Sequence, residues 1–115
     1  MQKERRRVSR FRLTAAAELV EEKSGTRSSA YVTNLSLQGC TLGITRPPRR
    51  GMNIHLEIVT GDESFQSRAI VAHSRAHSAG LIFQDLQPQS LLVLRRLLVT
   101  ATQQQQLHDV AEEPS

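Results

Sequence analysis

A chain of 115 residues with 3% aromatic content and no Trp can bury one modest core, built mostly from aliphatic side chains. The single Cys40 excludes an internal disulfide and a cysteine metal cluster, and no apolar run approaches the ~20 residues that span a bilayer. The net charge of +4 is unevenly placed: the first twelve residues carry Lys3, Arg5, Arg6, Arg7, Arg10 and Arg12 against Glu4 alone, so the body that follows is close to neutral.

That basic strip has two readings. Charge runs at a terminus are commonly solvated tails. They can also be anion sites, and the preference for Arg over Lys suits bidentate contacts to phosphate or to a guanine edge. The charged start does not read as a signal peptide. With the unpaired cysteine this gives a reducing, cytoplasmic setting as the expectation, without membrane insertion. Residues 1–10 form a flexible arginine-rich segment in this reading, 11–102 a folded domain, and 103–115 a polar, acidic tail.

From Phe11 the pattern has a period of two through Leu13, Ala15, Ala17 and Leu19, which predicts a half-buried strand over 11–20 closed by the Ser24-Gly25 turn. The alanine run is also compatible with a helix. Ser28–Leu35 is a second strand, with Ala30, Val32 and Leu35 inward. Asn34–Gly39 makes a polar turn, and Cys40, Leu42 and Ile44 share one face of a third strand. Pro47-Pro48 and Arg49-Arg50-Gly51 form a surface loop. Met52, Ile54, Leu56 and Ile58 alternate without fault and give the clearest strand. After a Gly61-Asp62 turn, Phe65–His73 is a fifth strand with Ala69, Val71 and His73 on one face. The link Arg75–Ser78 leads to a sixth, Ala79–Phe83. Short strands at this spacing predict a small antiparallel barrel or sandwich. Pro88 then opens a helix, with Leu91, Leu94, Leu98 and Ala101 at helical spacing, Leu97 beside them, and Arg95 and Arg96 opposite. Such a helix closes one end of the barrel or pairs with another subunit. Gln103–Gln106 can extend it, and His108–Ser115 reads as a frayed end.

Two stretches, Arg6-Arg-Val-Ser-Arg10 and Asn34-Leu-Ser-Leu-Gln-Gly39, resemble the paired motifs of the PilZ domain: Arg-x-x-x-Arg, then Asn/Asp-x-Ser-x-x-Gly. The strand Ala79–Phe83 followed by a Leu-rich helix is similar to that family's ending. The resemblance covers residues 4–100. It implies a six-stranded antiparallel β-barrel with a C-terminal helix that binds cyclic di-GMP, a bacterial second messenger, and signals to a partner protein. By similarity Arg6 and Arg10 contact phosphate and guanine, Arg5 and Arg7 add contacts, and Asn34, Ser36 and Gly39 hold the ligand from the barrel surface. A basic residue at Arg5 goes with an intercalated dimer of the nucleotide in this family. Some relatives stack an aromatic residue on guanine late in the barrel. His73 stands at the matching place, where it can also be an ordinary strand residue.

The chemistry of the residues runs parallel. A guanidinium forks onto guanine O6 and N7 or onto two phosphate oxygens. A carboxamide both donates to and accepts from a guanine edge, and glycine allows close approach or a positive φ. Asn34, Ser36 and Gly39 can equally be turn or bulge residues that satisfy their own backbone. His73 and His77 lack a third metal ligand. No nucleophile elbow, oriented triad or phosphate loop is present, so no enzyme activity and no cofactor are expected. The competing class is a nucleic-acid-binding barrel with a basic arm, weakened by the shortage of aromatics for base stacking. A third possibility is a PilZ-like adaptor that binds no nucleotide.

Overall fold

The computed structural model describes residues 15–112, and side chains over 15–100. Six strands precede one helix: β1 (Ala15–Glu21), β2 (Arg27–Leu35), β3 (Gly39–Gly43), β4 (Asn53–Thr60), β5 (Glu63–Ser74), β6 (Ser78–Gln84) and α1 (Pro88–Glu112). The strands close into a barrel in the order β1-β2-β3-β6-β5-β4, every pair antiparallel. Closure leaves no strand edge open to another chain. The predicted first strand is present from Ala15 onward; Phe11 and Leu13 lie outside the described residues.

Alternation decides which side chains enter the core. Ala15, Ala17 and Leu19 of β1 are buried, as are Ile54, Leu56 and Ile58 of β4, while Glu18 and His55 between them are exposed. Phe65 and Phe83 meet edge to face, with ring centroids 5.7 Å apart, a favoured arrangement for two aromatic quadrupoles. Leu94 and Leu97 of α1 complete the same cluster. The helix lies against β5. Ser90 Oγ donates to the Gln66 carbonyl at 2.7 Å, and Arg96 forks onto the Glu63 carboxylate at 3.1 and 3.2 Å. Of the two roles the sequence allowed the helix, this is the closing one. Its backbone runs on through Gln103–Gln106 to Glu112, past His108, where the composition suggested a frayed end.

Two bulges alter the simple alternation. In β2 the register shifts between Val32 and Asn34, so Val32 faces Leu42 while Asn34 faces Thr41 and Leu35 faces Cys40. The extra residue lets Val32 and Leu35, three apart, both point inward, and it turns Asn34 outward. In β5 the register shifts between Val71 and His73. This corrects the sequence-based face assignment: Ala69 and Val71 are buried, but His73 is exposed. A bulge adds one residue to one strand and reverses the side of everything beyond it.

Candidate functional site

The turn between β2 and β3 is built by Ser36. Its hydroxyl accepts from the backbone N–H of Gln38 at 3.1 Å and of Gly39 at 3.3 Å, and its own N–H donates to the Gly39 carbonyl at 2.9 Å. The side chain is buried. Of the two roles open to this hydroxyl from the sequence, holding a ligand or satisfying the turn's own backbone, its contacts here are with the backbone. Removing it leaves two N–H groups without this acceptor. Ser36→Ala is therefore expected to lower unfolding free energy by ~1–3 kcal/mol, read from urea unfolding, with the barrel still folded.

Gly39 begins β3 with an ordinary φ, not a positive one. Its lack of a side chain serves close packing: a Cβ there would stand 2.0 Å from the Leu81 carbonyl oxygen. Next along, Cys40 points into the core, and burial pushes its thiol up to about 12. The thiol stays protonated at neutral pH, which is the state of a core residue rather than of a nucleophile.

Asn34 differs from its motif neighbours. It is half-buried on the outer face, and among the described residues its carboxamide makes no hydrogen bond. A row of paired residues runs from it across four strands on that face: Asn34 of β2, Thr41 of β3, Gly80 of β6 and His73 of β5. The His73 imidazole lies over Gly80, where a Cβ would meet Nε2 at 2.1 Å. The next row passes from Ala16 through Tyr31 and Gly43 to Ser78. Tyr31, Thr41, Gly43 and Gly80 were not singled out from the sequence. Tyr31 meets Gly43 through the β2–β3 register, and Thr41 meets Gly80 only because β3 pairs with β6, a strand 35 or more residues away in the chain.

Asn34, Ser36 and Gly39 thus sit at one turn, and His73 lies across the face from Asn34. Arg5, Arg6, Arg7 and Arg10 lie outside the described residues. Among the described residues no cluster of metal-ligating side chains occurs, and no helix is long and apolar enough to cross a membrane.

The family model of the PilZ domain matches residues 4–100. No curated protein matches the chain by sequence. Solved structures share the fold. The PilZ domain of YcgR from Escherichia coli, determined with c-di-GMP, superposes with a TM-score of 0.75 at 14% identity, covering 95% of this chain and 99% of that one. The PilZ domain of CeSA from a cellulose-synthesizing bacterium gives 0.68 at 15% identity, covering 80% and 96%. The Bacillus subtilis inhibitor of motility MotI/DgrA gives 0.68 at 15% identity, with 87% of this chain aligned to 51% of that longer one. At such identities the structural likeness speaks for the barrel alone. Taken with the sequence match over most of its length, the chain belongs to the PilZ domain family.

Proposed function

We propose that the chain is a cyclic di-GMP receptor and not an enzyme. In this reading the arginine segment closes over nucleotide held on the outer face of β2 and β3, and the altered surface is read by an effector protein. Arg6 and Arg10 take the phosphates and guanine edges, Arg5 and Arg7 add charge, and Asn34 supplies the uncharged recognition group. Ser36 and Gly39 hold Asn34 and the turn in place. An intercalated nucleotide dimer is the form that suits so many clustered guanidinium groups.

The observation that carries the reading is where the two motifs are joined to the barrel. Ala15, the first residue described, pairs with Val32, two positions from Asn34. Arg10 stands five positions before Ala15, and five residues of chain span at most about 18 Å. The covalent connection therefore keeps Arg10 within reach of Asn34. The unengaged Asn34 carboxamide and the PilZ neighbour determined with c-di-GMP support the same reading.

The test is calorimetric titration with cyclic di-GMP at several salt concentrations, for the natural chain and for Asn34→Ala. Saturable binding that falls about tenfold or more in the variant is expected, from the loss of hydrogen bonds to a guanine edge. Absence of cyclic di-GMP binding, or in its place polynucleotide binding that falls steeply with salt and ignores Asn34, would overturn the assignment.

A further inference from the structure

Aromatic side chains are scarce in this protein, and two of the described ones, Phe65 and Phe83, are spent on the core. Tyr31 is the exception. It projects from β2 on the same outer face as Asn34, and 59% of it is exposed. The hydroxyl end of its ring lies over Gly43 of β3: a Cβ on Gly43 would stand 2.2 Å from Tyr31 Cζ and 2.5 Å from its oxygen. The His73 imidazole covers Gly80 of β6 in the same way. In the β3–β6 register Gly43 faces Ser78 and Gly80 faces Thr41, so the two ring-covered glycines are diagonal neighbours, ~7–8 Å apart.

Covering a strand glycine with an aromatic ring stabilises a sheet by itself, and this accounts for the side of Tyr31 that meets Gly43. It does not account for a large aromatic surface left open to solvent. That surface lies beside Asn34, on the strand against which β1, and so the chain leading from Arg10, is paired.

We infer that Tyr31 is a stacking platform for a purine base of the ligand, supplied from β2, with the His73 ring continuing the platform across Gly80. The inference rests on the cyclic di-GMP reading above and adds to it the residue that binds the base face. Asn34 then addresses the edge of a purine and Tyr31 its plane. The two contacts are chemically independent, because stacking tolerates any base whereas the carboxamide selects an edge pattern. The glycines at 43 and 80 matter in this arrangement because a side chain at either position would lift the ring above it off the sheet.

Tyr31 is the chain's single tyrosine, so its ring resonances can be identified unambiguously by comparison with Tyr31→Phe. Cyclic di-GMP is titrated into the natural chain, Tyr31→Phe and Tyr31→Leu, with affinity from calorimetry, ring-proton shifts of Tyr31 by NMR, and thermal unfolding of each protein alone. The expected result has three parts: an upfield ring shift at saturation, affinity within about twofold in Tyr31→Phe, and a loss of about tenfold or more in Tyr31→Leu, which is the size of base–aromatic stacking. A folded Tyr31→Leu is confirmed by its unfolding transition; should it not fold, the ring shift and Tyr31→Phe decide. If the natural chain binds tightly while the Tyr31 ring does not shift, or while a folded Tyr31→Leu binds as well, the platform is refuted and the receptor reading stands. If the natural chain gives no binding heat and no shift at any amide, the receptor reading is overturned and the platform falls with it.

Discussion

Gly39→Ala is expected to cost the barrel a large share of its stability, although it adds a single methyl group. The methyl carbon would stand 2.0 Å from the Leu81 carbonyl oxygen, 3.0 Å from the Leu81 carbonyl carbon and 3.1 Å from Ile82 Cα. All three are backbone atoms of β6, so no rotamer change relieves the contact. Gly39 pairs with Ile82, and the Phe83 N–H donates to the Gln38 carbonyl at 2.8 Å immediately beside it. Relief therefore means opening the β3–β6 seam of a closed barrel. A loss of ~3 kcal/mol or more is expected against a total stability of ~5–15 kcal/mol for a domain of this kind. The comparison is Gly61→Ala. Gly61 has a φ of 55° and nothing within 4 Å of the added carbon, so its cost is limited to backbone strain, ~1–2 kcal/mol. Urea unfolding followed by far-ultraviolet circular dichroism measures both. A Gly39→Ala protein as stable as Gly61→Ala would contradict the packing argument. The motif glycine has a reason to be glycine in the fold itself, whatever it also does toward a ligand.

Arg10→Ala is expected to act the other way, removing binding and sparing the fold. A guanidinium that forks onto a phosphate or a guanine edge makes two charge-assisted hydrogen bonds, each contributing ~1.5–3 kcal/mol. On the proposed reading, losing them is expected to weaken cyclic di-GMP binding by about 100-fold or more. The unfolding midpoint is expected to stay put, since the core cluster is built from β1 through α1. Arg10→Lys is expected to recover little, because an ammonium keeps the charge but not the planar fork. Calorimetry and thermal unfolding on the same preparations separate the two effects. Unchanged affinity in Arg10→Ala would remove the arginine segment from the site.

Much of the barrel was legible because burial and alternation coincide. Ile54, Leu56 and Ile58 read as inward and are 2%, 2% and 0% exposed. On the helix, leucine spacing picked Leu91, Leu94 and Leu98 with Leu97 beside them, and of these Leu94 and Leu97 enter the core while Leu91 and Leu98 are only partly buried. What escaped was the bulge in β5 and the neighbours that only a distant strand supplies. The bulge after Val71 sends His73 to the surface, and nothing in Val71-Ala-His73 announces it. Asn34 was read as opening the polar turn but lies within β2, and its separation in role from Ser36 depends on hydrogen bonds that spacing does not encode. Tyr31 and Gly43 became a pair only once β2 and β3 were in register. The arginine segment was the most conspicuous feature of the sequence. Its proposed part in the site rests on the chemistry of guanidinium groups and on its covalent attachment at Ala15.

The most direct test is a titration of the isotope-labelled chain with cyclic di-GMP followed by amide NMR. The account expects the amides of Asn34, Ser36 and Gly39 and those of residues 5–12 to shift together along one saturation curve. The loop at Arg49–Gly51 is expected to stay still. Saturating nucleotide that leaves either group unmoved, or that moves only residues elsewhere on the barrel, would contradict it.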